Sequence, residues 1–143
     1  MEFSSKGKCS ERRFPNPGRP VRVMVVDDYP DTAEVVALYL SAMGYEARYV
    51  TMSVRAQKQA DSYRPDIVLV DINMPGLDGY QVATAMRAAD ATREAVLIAH
   101  TSEVWEAIET RALVAGFDGY FRKATGPQEL VPFLSTYIDD SVR

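Results

Sequence analysis

The stretch Val23–Asp28, with the sequence VMVVDD, decides the fold, because four consecutive apolar residues run directly into two adjacent carboxylates. A strand that is apolar on both faces is typical of a parallel sheet covered by helices on both sides. Open α/β sheets bind their ligands at the carboxyl ends of the strands. Asp27 and Asp28 are therefore predicted to lie at a binding edge of the sheet.

Three later apolar runs also end in polar residues. Ile67–Val70 precedes Asp71, Ala95–His100 precedes Thr101, and Tyr120–Arg122 precedes Lys123. If these runs are parallel neighbours, three carboxylates, a hydroxyl and an ammonium group converge on one edge of the sheet.

Strands alternate with segments of helical apolar spacing from Val21 to the end of the chain. Five such units predict an α/β fold with a single doubly wound, five-stranded parallel sheet, flavodoxin-like, in the order 2-1-3-4-5. We expect one domain over residues 21–143. Residues 1–20 are basic, contain proline and glycine, and lack hydrophobic periodicity, so they are predicted to form a disordered basic tail.

The composition excludes several classes of protein. A chain of 143 residues with 47% hydrophobic and 25% charged residues suits one globular domain, and its net charge of -4 does not favour nucleic acid. The single cysteine, Cys9, rules out an internal disulfide, and the single histidine, His100, rules out a histidine metal cluster. No apolar run approaches the roughly 20 residues that span a membrane, and no signal peptide is evident, so we expect a cytoplasmic protein.

The predicted edge has a definite chemistry. Three carboxylates at one edge need a cation, a proton or an outward orientation, and oxygen ligands favour Mg²⁺. A carboxylate can also act as a nucleophile toward phosphorus, while Lys123 supplies positive charge and Thr101 a hydrogen bond. The alternative is that the acids and Thr101 are surface helix caps and that Lys123 is an ordinary solvated lysine.

These residues resemble the receiver domain of two-component response regulators, including the chemotaxis regulators. The resemblance rests on Asp27 and Asp28, on Asp71 followed by Met-Pro-Gly at 74–76 and Asp-Gly at 78–79, and on Thr101 and Lys123. It covers about Val21 to Ile138. The separations of 30 residues from Asp71 to Thr101 and 22 from Thr101 to Lys123 suit the family.

The resemblance implies a role for each residue. Asp71 would accept a phosphoryl group from a histidine kinase or histidine phosphotransfer protein. Mg²⁺ would be held by Asp28, Asp71 and the backbone carbonyl of Asn73, and by Asp27 through a water. Thr101 and Lys123 would bind the phosphoryl oxygens. Thr101 and Tyr120 would form the switch that changes the surface of the fourth helix, fifth strand and fifth helix.

Two positions depart from the family pattern. Ala124 stands where the family usually has proline after its lysine, often with a cis bond. A cis bond before alanine costs about 2.5–4 kcal/mol, so we expect this loop to be trans or strained. Pro132 falls inside the predicted fifth helix, Gly126–Ile138, and is expected to kink or shorten it.

Other residues raise separate questions. His100 is read as a packed or hydrogen-bonded histidine rather than a phosphate carrier. Trp105 is either an exposed interface anchor or a ring lying over the edge of the domain, and Val131 and Phe133 are further interface candidates. Glu103 is expected near the rim of the site. A homodimer through the fourth helix, fifth strand and fifth helix would use these interface residues.

We therefore expect a stand-alone phosphoacceptor receiver, or one cut from a larger protein, that is not an enzyme beyond its own phosphoryl transfer and hydrolysis. The first alternative is a phosphorylation-independent receiver that acts as a protein-interaction module. The second is a small α/β phosphatase with Asp71 as nucleophile, although such enzymes usually carry an acid where this chain has Asn73. A flavodoxin-like cofactor binder is disfavoured, because no glycine-rich phosphate loop follows the first strand.

Overall fold

The computed structural model describes residues 5–140, which form eight strands and five α-helices. The strands are β1 (Lys6–Lys8), β2 (Phe14–Pro15), β3 (Arg22–Val26), β4 (Glu46–Val50), β5 (Ile67–Val70), β6 (Val96–Thr101), β7 (Gly119–Arg122) and β8 (Ile138–Asp139). The helices are α1 (Pro30–Ala42), α2 (Ala56–Tyr63), α3 (Gly79–Ala88), α4 (Trp105–Ala115) and α5 (Leu130–Ser135). No helix among the described residues is both long enough and apolar enough to cross a membrane.

The central sheet confirms the predicted topology. Its parallel strands run β4-β3-β5-β6-β7, which is the order 2-1-3-4-5 of the predicted units. The register pairs Val26 with Val70 and Val70 with Ala99, so β3, β5 and β6 end at the same edge. This register places Asp27 and Asp71 side by side.

The apolar runs are buried because helices cover both faces of the sheet. One core cluster packs α2, α3 and α4 against residues such as Val68 and Leu97. The other packs α1 and α5 against residues such as Val25 and Leu69. Alternate residues of each strand therefore enter different cores, which explains why the strands show no polar face.

Local sequence signals determine where the helix after β5 begins. Asp78 accepts a hydrogen bond from the backbone N–H of Gln81, and the Gln81 side chain accepts one from the backbone N–H of Asp78. This capping box satisfies donors that a helix N-terminus otherwise leaves without partners. It fixes the start of α3 directly after the loop that begins at Asp71.

The predicted disordered tail needs correction. Residues 1–4 lie outside the described part of the chain, but Lys6–Lys8 form β1, which pairs antiparallel with β7 and adds a sixth strand to the sheet. Phe14–Pro15 form β2, which pairs in parallel with β8. The physical reason is that β7 would otherwise leave one edge of its backbone groups without partners.

The last helix is also shorter than predicted. A 3₁₀ turn spans Pro127–Glu129, and α5 then covers only six residues, Leu130–Ser135. Pro132 lies in the first turn of α5, where its missing N–H has no intrahelical role. The chain is extended again at Ile138–Asp139, which were assigned in part to the helix.

Asp118, directly before β7, connects several parts of the fold. Its buried carboxylate accepts hydrogen bonds from Arg87, from Arg12 and Ser10 near the N-terminus, and from the backbone N–H of Leu97. A buried carboxylate satisfied in this way leaves uncompensated charge if it is removed.

We therefore predict that Asp118→Ala lowers the free energy of unfolding by about 3–5 kcal/mol, because it breaks a buried ion pair and three other hydrogen bonds. Urea denaturation followed by circular dichroism measures the change. The control is Asp90→Ala, since the Asp90 side chain is 86% exposed and its ion pair with Arg93 lies on the surface; it should change stability by less than about 1 kcal/mol. Equal effects of the two variants would contradict the prediction.

Candidate functional site

Three aspartates come together at the carboxyl edge of the sheet. Asp27 follows β3 and Asp71 follows β5, while Asp28 lies beside Asp27 and is the most exposed of the three. Each offers one carboxylate oxygen, and these oxygens lie within 4.8 Å of one another. The Asp27 side chain also accepts a hydrogen bond from the backbone N–H of Tyr29 at 3.0 Å, which fixes its orientation.

Lys123 brings the positive charge to this cluster. Its Nζ lies 2.8 Å from Oδ2 of Asp27 and 3.3 Å from Oδ2 of Asp71. Its backbone N–H donates to the carbonyl of Thr101 at 2.8 Å, which extends the β6–β7 pairing to the end of the site. Burial lowers the pKa of Lys123, but the hydrogen bond to Asp27 and the charges of both carboxylates outweigh it and raise the pKa.

The carboxyl group of Asp71 has a raised pKa. Burial raises its pKa above the usual 3.8, and the neighbouring charge of Asp27 raises it further. Lys123 and a backbone hydrogen bond from Asn73 act in the opposite direction without cancelling the rise. A buried carboxylate that is only partly compensated is a favourable position for binding a cation or for nucleophilic chemistry.

The loop after Asp71 is held close to the end of β5. A side chain on Gly79 would collide with the carbonyl oxygen of Asp71, and its Cβ would lie 2.7 Å from Cα of Ile72. The Gly79 N–H donates to the carbonyl of Ile72 at 2.8 Å. Ser53, from the turn before α2, accepts from Leu77 N–H and donates to the carbonyl of Pro75, both at 2.9 Å.

Asn73 and Glu103 form a contact across the mouth of the site. Asn73 is exposed, and its amide Nδ2 donates to Oε2 of Glu103 at 2.9 Å. The predicted position of Glu103 near the rim is therefore confirmed. This bond joins the loop after β5 to the loop after β6.

Thr101 ends β6 and is buried beside the acidic cluster. Its hydroxyl oxygen accepts a hydrogen bond from the backbone N–H of Glu103 at 3.1 Å. This contact lies in the loop before α4 and is not a helix cap, because the N-cap residue of α4 is Val104 and it makes no side-chain cap hydrogen bond. The same residue still lies at the strand end, so the contact is compatible with a second role.

Tyr120 and Trp105 form a stacked pair. Their ring centroids are 4.5 Å apart and the ring planes differ by 8°. Tyr120 is 6% exposed and Trp105 is 9% exposed, so both rings belong to the core.

The interface candidates need correction. Trp105 is buried on Tyr120, and Phe133 is buried between Phe121 and Tyr137, so neither is an exposed anchor. Val131 is partly buried against the core under α1 and α5. The physical reason is that α4 starts at Trp105 itself, where the ring can lie back over the end of β7.

His100 is a packed residue, as interpreted from its position in the strand. It is 5% exposed, and burial followed by the charge of Lys123 lowers its pKa to about 4. Its Nδ1 has no hydrogen-bond partner among the described residues. A buried neutral imidazole of this kind is poorly placed to carry a phosphoryl group to another protein.

The departure at Ala124 leaves Lys123 in reach of the cluster. None of the peptide bonds among residues 5–140 is cis, so the bond between Lys123 and Ala124 is trans, one of the two outcomes expected for this loop. The contacts of Lys123 with Asp27 and Asp71 show that the usual proline is not needed to bring the lysine to the site.

The donor set fits a hard divalent cation. Three carboxylate oxygens that lie within 4.8 Å of one another are the ligand type that Mg²⁺ binds. Oδ2 of Asp27 is also buried, with Lys123 Nζ 2.8 Å away. The ion pair with Lys123 already offsets part of this charge, so a cation would share these oxygens with the ammonium group.

A sheet in the order 2-1-3-4-5 with an acidic cluster and a lysine at its carboxyl edge defines a class of small α/β signalling domains. The family model for the response regulator receiver domain matches residues 23–135, and the chain belongs to this family. It is therefore a receiver domain of two-component signalling.

Individual proteins support the same assignment. The chain is 33% identical over 110 residues to the DNA-binding response regulator MtrA of Mycolicibacterium smegmatis. The aligned region covers 77% of this chain and 47% of MtrA. The chain thus spans about half the length of the curated relatives it matches.

Solved structures share the fold. The chemotaxis protein CheY4 of Vibrio cholerae superposes with a TM-score of 0.79 at 24% identity, over 82% of this chain and 98% of CheY4. The receiver domain of sensor histidine kinase PA1611 from Pseudomonas aeruginosa has a TM-score of 0.75 at 28% identity, over 82% of this chain and 97% of that one. That structure has a magnesium ion coordinated in its active-site cleft.

Sequence reasoning missed two features of the site. The need for glycine at position 79 was not recognised, although the Asp-Gly pair at 78–79 marked a turn. The bond between Asn73 and Glu103 joins two loops, and no local pattern in either loop indicates it.

We predict that Asp71→Asn raises the melting temperature at pH 7 in the presence of a chelator. Because burial raises the pKa of Asp71, ionising it costs folding free energy at any pH above about 3.8, and the cost is complete above the raised pKa. The gain from asparagine should disappear as the pH falls below 3.8, where the wild-type carboxyl is protonated in both states. Thermal melts at pH 7 and at a pH below 3.8 test this prediction. The control is Asp90→Asn, at an exposed position. A lower melting temperature at pH 7 would show that the attraction of Lys123 outweighs burial.

Proposed function

We propose that the protein is a phosphoacceptor receiver and that Asp71 accepts a phosphoryl group from a histidine kinase or a histidine phosphotransfer protein. The observation that carries the proposal is the position of Asp71: it is buried, has a raised pKa, and lies within 4.8 Å of the Asp27 and Asp28 oxygens and 3.3 Å from Lys123 Nζ. A cytoplasmic signalling role follows from the same proposal.

The transfer step forms an acyl phosphate. A carboxylate oxygen of Asp71 attacks the phosphorus of a phosphohistidine, the P–N bond breaks, and its electron pair remains on the imidazole of the donor. Lys123 neutralises charge on the phosphoryl oxygens, and Asp27 holds Lys123 in place. Mg²⁺, held by Asp28, Asp71 and the carbonyl of Asn73 and through water by Asp27, would supply further neutralisation of these oxygens.

The switch would start at Thr101. Its hydroxyl accepts from the Glu103 N–H and is free to donate its own proton to a phosphoryl oxygen on Asp71. Movement of Thr101 would pull on the loop between β6 and α4, and Trp105 at the start of α4 would transmit the change to Tyr120. The α4–β7–α5 surface would then present two states to a protein partner or to a second copy of the chain.

A phosphorylation-independent interaction module is the second candidate function. It would be a receiver in which Tyr120 stays packed against Trp105 whether or not Asp71 is phosphorylated. The family's usual proline is replaced by Ala124, although Lys123 still contacts Asp27 and Asp71. An enzymatic turnover role has less support, since Asn73 donates to Glu103 where a hydrolase would use an acid.

We predict that a small acyl-phosphate donor adds one phosphoryl mass to the wild type in the presence of Mg²⁺. Intact mass spectrometry should show no adduct on Asp71→Asn and none with a chelator, because the acceptor oxygen or the charge neutralisation is lost. Asp90→Asn is the matched control and should react like the wild type. No adduct on the wild type, together with no binding of a beryllofluoride mimic, would falsify the proposal and favour the interaction module.

A second prediction separates acceptance of the phosphoryl group from the structural change that follows it. Thr101→Ala should still form the phosphoryl adduct but should lose the change in Trp105 fluorescence that accompanies it, because the missing hydroxyl cannot follow the phosphoryl group. Thr101→Ser keeps the hydroxyl and should retain the change. Trp105 is the only tryptophan in the chain, so its emission reports on this position alone. A full fluorescence response from Thr101→Ala would contradict the role of Thr101.

A further inference from the structure

We propose that residues 5–12, here called the strap, are a displaceable intramolecular cover of the β7 edge and that opening of the strap is coupled to the position of Tyr120. The strap would thereby control access to the α4–β7–α5 surface. The coupling to Asp71 rests on the function proposed above, whereas the cover itself rests on the described contacts alone.

The backbone of the strap continues the central sheet. Gly7 of β1 lies opposite Tyr120 in the antiparallel ladder, and the pairing covers all of β1. It extends at both ends, because Arg122 N–H donates to the Ser5 carbonyl at 2.7 Å and Cys9 N–H donates to the Asp118 carbonyl at 2.8 Å. An open edge at β7 would be a template for another strand, and the strap occupies it.

Gly7 lies directly against the ring of Tyr120, the proposed switch residue. A Cβ at this position would be 2.9 Å from Cε1 of Tyr120 and 3.2 Å from its Cζ and hydroxyl oxygen. The same ring stacks on Trp105. The strap and Trp105 therefore both depend on where the Tyr120 ring lies, and the small size of Gly7 makes the present arrangement fit.

The two lysines of the strap attach it to the residues just before and just after α5. Lys6 pairs with Glu129 at 3.0 Å, although both side chains are substantially exposed. Lys8 Nζ donates to the Thr136 carbonyl at 3.1 Å and lies 4.6 Å from the centre of the Tyr137 ring. Exposed contacts of this kind contribute little to stability, so three residues of ladder carry much of the attachment.

The hydrogen bonds at the far end of the strap are stronger. Ser10 and Arg12 donate to the buried Asp118 carboxylate, at 2.7 and 3.1 Å. Cys9 Sγ donates to the Phe117 carbonyl at 3.3 Å and packs against the core beside α4. The strap therefore has a fixed end at Ser10–Arg12, which bind the Asp118 carboxylate, and a weaker end at Ser5–Cys9, which pairs with β7 and meets Tyr120.

This arrangement makes the coupling reciprocal. If a bound phosphoryl group moves Tyr120, the contact with Gly7 changes and the strap is loosened; if the strap is loosened, movement of Tyr120 costs less. A partner strand or a second copy that uses the β7 edge must displace the strap first. The homodimer expected through this face would therefore form only from the open state.

Cys9 provides a direct test of opening, because it is the only cysteine in the chain, ends the pairing of the strap with β7 and is partly buried against the core. We expect Gly7→Val to increase the rate of Cys9 labelling by a thiol reagent at least about tenfold at fixed pH. Valine favours strands, so any opening arises from its contact with Tyr120 rather than from β-propensity. Glu11→Val is the control, since Glu11 is exposed and outside the ladder, and it should label like the wild type.

The melting transition separates opening from unfolding. Gly7→Val should keep a cooperative transition and native circular dichroism while Cys9 becomes accessible. Labelling at the wild-type rate would overturn the displaceable cover, because the ring would then have moved instead of the strap. Fast labelling with loss of the cooperative transition would also overturn it.

The coupling is tested with Mg²⁺ and beryllofluoride on the full chain, with binding followed by fluorine NMR. The mimic should raise the Cys9 labelling rate of the wild type, and Gly7→Val should bind the mimic about fivefold or more tightly. Binding of the mimic without a change in labelling would overturn the coupling and leave the proposed function intact. Failure of the mimic to bind would overturn the proposed function and the coupling with it, whereas the Gly7→Val labelling result would still decide whether the strap is a displaceable cover.

Discussion

The contact of Lys123 with two carboxylates is the interaction on which the site depends. Like charges about 4 Å apart repel by roughly 1 kcal/mol in water and roughly 4 kcal/mol at an effective dielectric of 20. Asp27 and Asp71 are buried, so their repulsion is close to the larger figure, and the ammonium group at 2.8 and 3.3 Å offsets it. The pKa of Asp71 is nevertheless raised, because burial outweighs the attraction of Lys123. A bound cation would stabilise the ionised carboxylate further.

Much of this site could be predicted from the sequence because it follows from strand register. Val26 pairs with Val70 and Thr101 with Arg122, so residues that end neighbouring strands must meet at one edge. The apolar runs identify the strands, and their order follows from the five alternating units. The positions of Asp27, Asp71, Thr101 and Lys123 were therefore predictable without any knowledge of side-chain packing.

The strap and the position of Trp105 could not be predicted in this way, because they depend on contacts between distant parts of the chain. The strap has no apolar alternation: its strand is Lys-Gly-Lys at 6–8, and only the open edge of β7 makes that segment a strand. From the sequence, Trp105 could be either an exposed anchor or a ring lying over the edge of the domain. Because α4 begins at Trp105, the side chain lies at the helix end and reaches the ring of Tyr120. Both features depend on tertiary contacts that the local pattern does not contain.

Tyr120 belongs both to the proposed switch and to the contact with the strap. A receiver that signals through the α4–β7–α5 surface needs the edge of β7 to be accessible, but an accessible edge strand favours unspecific pairing with other chains. A strap with one firm end at Asp118 and a weaker end at Gly7 meets both requirements, since it protects the edge and can be released without unfolding the domain. The energy needed for release is then set by the same ring that would respond to Asp71. In the proposed coupling, control of the surface would thus depend on a glycine outside the segment that carries the family pattern.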